Sequence, residues 1–366
     1  MAQYIPSNPV LDFGALLDGR KLSFPAPGLF SVARHALTGY LHYLSSLRPK
    51  PVKNILVPDY MCHEVNSALR QSGFKLARYG LTPDLDATVD SLEAAARGVE
   101  VDALILTHFY GRMTRQLPEI AAWCRGRGIA LIEDCVHLPF PYHAEYPLDA
   151  AAETSSDARL FTLRKVYPVP LGATIVLRNG QEPFARFIDT HIGRSYPDSR
   201  LELWKWAGKQ LVKKGLLWTG MGYRQRYQDL SDDPLKTFNF LPAERGRWLS
   251  VANHERAVRR RRENYRRYLR HATSWGRRLD FTPLDVPYMM VIFLRPELEP
   301  LALVQQLMAR GVPAALGLAL DSELLQTLPA GHPYRRILSL PIHQDISESH
   351  IDRIGGILAE APPETN

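Results

Sequence analysis

The sequence predicts an α/β protein whose larger part is a mainly parallel sheet flanked by helices, followed by a small α+β unit. Between residues 54 and 134, short apolar segments alternate with segments of helical character, the order from which parallel sheets are built. The segment IALIE (129 to 133) is nearly all apolar, as expected for a strand covered on both faces. The chain has 366 residues, of which 45% are hydrophobic, enough for two lobes with substantial cores.

The N-terminal region is predicted to consist of an arm and a helix. Residues 1–27 contain several prolines and show little periodicity, so we expect an arm that lies over the body or across a partner subunit. Ser31 would cap a helix, because apolar side chains recur on one face of the segment that follows it. The free amides at such a helix start are suited to an anionic group.

Strands and helices then alternate as far as residue 134. The predicted strands are NILVP (54 to 58), residues 74–79, ALILTH (103 to 108) and IALIED (129 to 134), and the predicted helices cover residues 61–72, 90–97 and 118–127. A later apolar strand, LFTL (160 to 163), ends just before Lys165, and the chain then runs into a further strand. This order predicts one sheet that continues beyond residue 134.

The second half of the chain is predicted to contain a connecting region and a small lobe. Residues 184–227 are helix-rich and basic on one side, which favours a connecting helix over a membrane or partner contact. An arginine-rich helix from near Pro242 would link two lobes, and MMVIFL (289 to 294) with two later helices would form the last lobe. The predicted divisions are an arm over residues 1–27, a large domain over 28–245, and a linking helix with a small domain over 246–366.

The charge and the cysteine content narrow the classes of function. The net charge of +7 and the isoelectric point near 9.3 would suit nucleic acid or an anionic small molecule. No helix-turn-helix, zinc-finger or RNA-recognition signature is present, so we expect no nucleic-acid partner. The 3 cysteines have neither paired nor metal-ligand spacing, so neither a disulfide framework nor a metal site is expected. No segment has the length of a transmembrane helix and the first residues lack signal-peptide character, which predicts a cytoplasmic protein without a membrane partner.

Three polar residues follow buried strands near the middle of the chain. Asp134 ends one predicted strand, His137 comes soon after it, and Lys165 follows the strand that ends at Thr162. Polar groups at the carboxyl ends of parallel strands lie in the crevice where such sheets bind ligands. An acid and a lysine there suit pyridoxal phosphate (PLP). The carboxylate would keep the pyridine nitrogen protonated, and the lysine, its pKa lowered by desolvation, would form the Schiff base.

Five segments, spread over most of the chain, carry a family resemblance. They are VPDYMCHEV (57 to 65), THFYG (107 to 111), IEDCVH (132 to 137), TLRK (162 to 165) and LPIHQDISESHIDRI (340 to 354). In this order they resemble the DegT/StrS branch of the fold-type I PLP enzymes, aminotransferases best known for acting on keto sugars attached to nucleotides. The resemblance implies the fold-type I architecture, with a mainly parallel sheet of the seven-stranded type and a small C-terminal α+β domain.

The chain differs from the family pattern in two places. FSVARHAL stands where the family usually has a Ser-Gly-Thr phosphate cup, and VPLGA follows the lysine where the family usually has a Gly-Glu-Gly-Gly turn. PLP remains the expected cofactor, because the acid and the lysine are both present. The two departures concern the phosphate end of the site and the turn after the lysine.

The resemblance also assigns roles to individual residues. It implies that Lys165, Asp134 and His137 are catalytic, with His137 contacting the ring oxygen of the cofactor or covering its face. The hydroxyl of Thr162 would bind the phosphate. The rest of the phosphate site would come from the start of the first helix, namely Ser31, Val32, Ala33 and the Arg34 side chain.

Four residues at strand ends are further candidates for the site. Tyr60 and Cys62 stand where the family places a residue that packs against the cofactor ring. His108 and Tyr110 end another strand and either line the site or serve the structure. An aromatic side chain at the end of a strand most often belongs to the core, so these assignments depend on the resemblance.

The function predicted by these residues is transfer of an amino group from an amino acid donor to a keto acceptor, including one on a nucleotide-linked sugar. Two alternatives stay open. The same cofactor serves elimination or decarboxylation, and a member of the family can lose activity and become a binding or regulatory protein. The presence of both Asp134 and Lys165 argues against the second alternative. The family builds its sites at a subunit boundary, so the resemblance implies a homodimer.

Overall fold

The computed structural model describes residues 5–10, 28–140, 156–169, 171–178, 181–193, 205, 207–213, 215, 254–329 and 331–360. The strands of the first sheet in these ranges are β1 Asn54–Pro58, β2 Lys75–Tyr79, β3 Ala103–Thr107, β4 Ala130–Asp134, β5 Ala158–Thr162 and β6 Ala173–Leu177. The helices around it are α1 Ala33–Leu47, α2 His63–Gln71, α3 Val89–Ala95, α4 Leu117–Gly126 and α5 Gln181–Phe187.

The first sheet is mainly parallel. Its strand order is β2-β1-β3-β4-β5-β6, and its pairings are parallel except that between β5 and β6. Each helix between two strands returns the chain across the sheet, so the next strand runs in the same direction as the last. The predicted α/β fold is therefore confirmed, and the described residues contribute 6 strands to a sheet of the predicted type.

The apolar composition of the strands follows from burial on both faces. Along β3, Leu104 and Leu106 belong to one hydrophobic cluster, whereas Ala103 and Ile105 belong to another. Successive side chains of a strand point to opposite faces of the sheet, so only an apolar sequence satisfies both clusters. Burial therefore explains why this segment lacks the alternation of a half-exposed strand.

A second sheet forms the core of the C-terminal lobe. Its strands are β7 Gly276–Arg278, β8 Met289–Leu294, β9 Ala315–Leu316 and β10 Ile337–Pro341, which pair antiparallel in the order β7-β8-β10-β9. The accompanying helices are α6 His254–Tyr268, α7 Pro300–Ala309, α8 Ser322–Thr327 and α9 Glu348–Ala359. This lobe has the α+β character that the sequence predicts.

Residues 5–10 lie on this second lobe of their own chain. The carbonyl oxygen of Pro6 is 2.9 Å from Nε2 of His343, and the amide of Val10 donates to Oδ2 of Asp345 at 3.0 Å. The described part of the predicted arm thus lies over the body. The rest of that arm falls outside the described residues.

The start of α1 differs from the sequence prediction. The helix begins at Ala33, and Val32 has the extended conformation of the residue before a helix. Ser31 instead places its hydroxyl oxygen 3.3 Å from Nδ1 of His35. The predicted cap at Ser31 is therefore wrong, because the helix starts one residue too late for the serine to occupy the cap position.

Several predicted features fall wholly or partly outside the described residues. They include the division between residues 245 and 246, most of the helix-rich region 184–227 and the first part of the arginine-rich helix, of which α6 is the described portion. Among the helices that the structure does describe, none combines the length and the apolar character needed to cross a membrane.

A close backbone contact joins the two lobes beyond the end of β3. Gly111 has a φ of +86°, and a Cβ atom at this position would lie 1.9 Å from the carbonyl oxygen of Val286. The amide of Val286 donates to the carbonyl of Gly111 at 3.1 Å, and the amide of Tyr288 donates to the carbonyl of Tyr110 at 2.7 Å. Only glycine combines this φ with so close an approach, so Gly111 lets residues 286–288 reach the carboxyl edge of the first sheet.

We expect Gly111→Ala to lower the thermal midpoint of unfolding far more than Gly98→Ala does. Gly98 also has a positive φ, +74°, but a Cβ there would meet nothing within 4 Å. The control therefore reports only the cost of a left-handed conformation, about 1–2 kcal/mol. Thermal unfolding followed by circular dichroism measures both variants. Equal losses would show that residues 286–288 do not depend on this contact.

Candidate active site

Asp134 lies buried at the end of β4, at the carboxyl edge of the sheet. Its Oδ1 accepts from the amide of Val136 at 3.2 Å, and its Oδ2 accepts from the hydroxyl of Thr107 at 3.4 Å. Burial raises the pKa of this carboxyl group, and the charge of Lys165 acts in the opposite direction. Both hydrogen-bond donors are neutral, so a cation arriving at this edge would stabilise the carboxylate.

His137 is held in one tautomer by the backbone. The amide of Tyr110 donates to Nδ1 at 3.1 Å, so the neutral ring must carry its proton on Nε2. That nitrogen lies 3.1 Å from Nζ of Lys165. Burial first, and then the charge of Lys165, hold the pKa of His137 well below its usual range. In this arrangement Nε2 donates its hydrogen bond, and the lysine amine must accept it through its lone pair.

Lys165 follows β5 in a turn closed by the amides of Val166 and Tyr167, which both donate to the carbonyl of Leu163. Its side chain is partly buried. Burial, and then the charge of Arg164, lower the pKa of Lys165. A lowered pKa agrees with the neutral amine that the His137 tautomer requires. A neutral lysine amine is a nucleophile suited to a carbonyl group.

Two tyrosines stack on His137. The centroid of the Tyr110 ring lies 5.6 Å from that of the imidazole, with an angle of 7° between the ring planes. For Tyr288 the centroid distance is 4.8 Å and the angle between the planes is 12°. Tyr110 has a φ of +55°, a strained conformation for a residue with a side chain. Sequence reasoning named Tyr110 but not Tyr288, because Tyr288 comes from the other lobe and no local pattern marks it.

His108 is fully buried and belongs to a network of hydrogen bonds and ion pairs. Its Nε2 is 2.8 Å from Oε2 of Glu133, whose Oε1 accepts from Nε of Arg159 at 2.9 Å. His108, Glu133 and Cys135 also place potential metal-ligating atoms within 4.8 Å of one another, which their sequence spacing did not reveal. The two oxygens of Glu133 are already engaged by His108 and Arg159, which favours a buried ion-pair network over a metal site.

Tyr60 and Cys62 differ in their relation to the site. The hydroxyl oxygen of Tyr60 is fully buried, lies 2.8 Å from the hydroxyl oxygen of Tyr110 and accepts from the amide of Leu318 at 2.8 Å. Its polar end is therefore committed to the contact between the lobes. Burial raises the pKa of the Cys62 thiol while the charge of Lys165 acts to lower it, so Cys62 lies in the electrostatic environment of the lysine.

The residues predicted for the phosphate are joined through Gly172. The amide of Gly172 donates to the carbonyl of Ser31 at 3.0 Å, and its own carbonyl accepts from the hydroxyl of Thr162 at 3.3 Å. The structure therefore brings the segment before α1 next to the end of β5. Arg34 forms an ion pair with Glu64 at 2.7 Å, which balances its charge. Gly172 was missed as a site residue, although its φ of +132° fits the glycine in VPLGA.

A cleft of about 1060 Å³ opens between α2 and the C-terminal lobe. It is lined by polar residues that include His63, Arg70 and Arg335 and by an apolar wall that includes Leu318 and Leu320. Cys62 pairs with Leu320 through an isolated β-bridge, so the cleft lies next to the segment that carries Cys62.

Comparison with known proteins establishes the fold. No protein-family model matches the chain, and no curated protein matches its sequence. Among solved structures, Helicobacter pylori PseC, an aminotransferase involved in the biosynthesis of pseudoaminic acid, is 14% identical with a TM-score of 0.66, over 97% of this chain and 98% of that one. A DegT DnrJ EryC1 StrS aminotransferase from Brucella abortus is 17% identical with a TM-score of 0.61, over 90% and 84% of the two chains.

A GDP-4-keto-6-deoxymannose-3-dehydratase with a trapped PLP-glutamate geminal diamine is also similar. It is 17% identical with a TM-score of 0.67, over 97% of this chain and 100% of that one. At such identities the likeness concerns the fold. The fold class implied by the sequence resemblance is therefore confirmed.

We expect Lys165 in the cofactor-free protein to react with trace acetic anhydride at a lower pH than a free lysine side chain. The reason is that its lowered pKa leaves more of the amine deprotonated at any given pH. Arg164→Gln should move the midpoint of reactivity upward, because the Arg164 charge lowers this pKa. Asp134→Asn should move it downward, because the Asp134 charge raises it. Peptide mass spectrometry follows the labelling, and shifts of the same sign in both variants would contradict the electrostatic assignment.

Proposed function

We propose that this protein is a PLP-dependent aminotransferase acting on a keto sugar. The observation that carries the proposal is the 3.1 Å contact between Nζ of Lys165 and Nε2 of His137, next to the buried carboxylate of Asp134. A neutral lysine amine can bond to an aldehyde, and a buried carboxylate stabilises a protonated pyridine. These are the groups that PLP requires of its protein.

The environment of Asp134 suits the cofactor. This carboxylate is 7% exposed, and its hydrogen bonds within the described residues come from an amide and a hydroxyl, so a protonated ring nitrogen would add a positively charged donor. When bound, PLP supplies the electron sink for charge that develops on the donor Cα. Thr162 and the residues at the start of α1 would hold its phosphate, because Gly172 brings Thr162 next to Ser31, just before that helix.

The chain's own residues account for the proton transfers. The amine of Lys165 would be the base that takes the proton from the donor Cα and holds it until it is delivered to the carbon that accepts it. The lowered pKa suits this task, because the amine is available without deprotonation by hydroxide. His137 keeps the lysine in place through Nε2, and the two tyrosine rings fix the orientation of the imidazole.

The acceptor and the assembly are part of the same proposal. Several structural neighbours are sugar-modifying enzymes by name, which supports a sugar as the acceptor. We include a homodimer, a cytoplasmic location and the division into an arm, a large domain and a small domain. Sedimentation at micromolar concentration tests the dimer, and a fully active monomer would contradict it.

Removal of a hydroxyl group from the sugar is the second candidate function. Its specific support is the similarity to the dehydratase, which aligns over 100% of its own length. The presence of Lys165 serves both reactions, since each needs a base near the cofactor. Product analysis with an amino donor and a keto sugar separates them, because transfer yields an amino sugar and dehydration yields a sugar that has lost a hydroxyl.

Borohydride reduction of the PLP-loaded protein should fix the cofactor on Lys165. Lys213 is the matched competitor, because burial lowers its pKa too but it has no Asp134 or His137 beside it. We expect mass spectrometry to locate the label on the peptide that contains Lys165 and none on that of Lys213. Lys165→Ala should lose the label and turnover together while keeping its circular dichroism spectrum. A label elsewhere, or an active Lys165→Ala protein, would overturn the proposal.

Asp134→Asn should fold and bind PLP but transfer amino groups at least about 100-fold more slowly. A neutral amide cannot hold the ring nitrogen protonated, so charge on the donor Cα loses its stabilisation. Stopped-flow absorption with the donor alone measures this half-reaction, and PLP content is the control for binding. Wild-type rates in Asp134→Asn would show that another acid performs this role.

A further inference from the structure

Arg261, on α6, is a buried arginine close to the candidate site. It is 1% exposed, and its guanidinium donates to the carbonyls of Pro287 at 3.3 Å, Tyr288 at 2.9 Å and Val166 at 3.5 Å. Its Nε is a buried nitrogen without a hydrogen-bond partner in the described residues. Burial lowers the pKa of Arg261 to about 10. The cation is therefore held by backbone oxygens.

The burial of this cation costs stability. A buried charge surrounded by dipoles is less favourable than an apolar side chain of the same volume, and an unpaired Nε adds to the cost. A residue that only filled space in this core would not need a guanidinium. What a guanidinium adds is a rigid fork of donors that can hold separate backbone segments at once.

The segments held by Arg261 lie on either side of the catalytic pair. Val166 directly follows Lys165, and Tyr288 stacks on His137. The guanidinium carbon also lies 5.8 Å from the centre of the Tyr288 ring. The carbonyl of Val166 has a second donor, Nε2 of Gln344, at 2.9 Å. Arg261 thus connects the turn that carries Lys165 to the ring that packs on His137.

We propose that Arg261 is a positioning residue that fixes Lys165 against His137 by bridging the carbonyls of Val166 and Tyr288. The proposal rests on the proposed function, because it assigns the contact between Lys165 and His137 to catalysis. Arg261 acts through the backbone carbonyls that it binds. Without it, the turn after β5 and the segment before β8 would move independently, and the amine would become more exposed to water.

The test measures the pH midpoint of Lys165 acetylation in the cofactor-free full chain. Arg261→Met keeps the volume and removes the donors, and it should raise the midpoint as the amine becomes more solvated. Arg261→Lys keeps the charge but cannot hold both carbonyls, so it should raise the midpoint as well. Gln344→Met removes the second donor to Val166 and should shift it in the same direction. With PLP and donor, the half-reaction in these variants should slow by about 10–100-fold.

Arg262→Met is the matched control on the same helix. Arg262 donates to the carbonyls of Leu284 at 2.9 Å and Asp285 at 2.9 Å, on the same segment but away from Val166. It should leave the Lys165 midpoint unchanged. The proposal is overturned if Arg261→Lys keeps the wild-type midpoint, whatever Gln344→Met does, or if Arg262→Met shifts the midpoint equally. If Arg261→Met fails to fold, the other three variants, Arg261→Lys, Gln344→Met and Arg262→Met, still test the proposal.

Failure of the proposed function gives a different result. Acetylation of Lys165 needs no cofactor, so its pH midpoint tests the positioning role whether or not PLP binds. A protein that does not bind PLP, yet shows the expected shifts, would reject the aminotransferase and retain the role of Arg261. If PLP labels Lys165 but the Arg261 variants keep the wild-type midpoint, the aminotransferase is retained and the role of Arg261 is rejected.

Discussion

The desolvation of the Lys165 amine is the constraint around which the site is built. Burial favours the neutral amine and the neutral carboxyl of Asp134, while the attraction between their charges favours both ions. The hydrogen bond from His137 favours the neutral form of Lys165. The Nε2 proton of His137 faces the lysine amine, and only a neutral amine has a lone pair to accept it. The site therefore holds a neutral amine beside a buried acid whose ionised form a cation would stabilise.

Holding these groups at fixed distances requires contacts from both lobes. Tyr110 has a strained backbone, and Gly111 admits the carbonyl of Val286 where no other residue could. Strain of this kind persists only where the surrounding structure enforces it, and here it brings Tyr288 onto the imidazole. The same design recurs at Gly317, where a Cβ would lie 2.1 Å from the Tyr60 hydroxyl oxygen. At both glycines the absence of a side chain lets the two lobes meet close to the candidate site.

The sequence identifies those site residues whose place depends only on their position along a strand. Asp134 and Lys165 are predictable because each follows an apolar segment, and the carboxyl ends of parallel strands meet at one edge. Tyr288 and Arg261 are not, because their roles depend on how the second lobe approaches the sheet. Ser31 shows the limit of local preference: serine favours the cap position, yet the helix begins beyond it and the hydroxyl turns to His35.

One of the two departures from the family pattern lies at the phosphate end of the site. Arg34 would be the nearest cation on the first helix, but its charge is balanced by Glu64 at 2.7 Å. An anion there would depend on the amides and the dipole of α1 and on the hydroxyl of Thr162, all of them neutral groups. Binding through neutral donors is less sensitive to salt than binding through a free arginine. The changed phosphate cup is therefore compatible with a site that still has its lysine and its acid at the sheet edge.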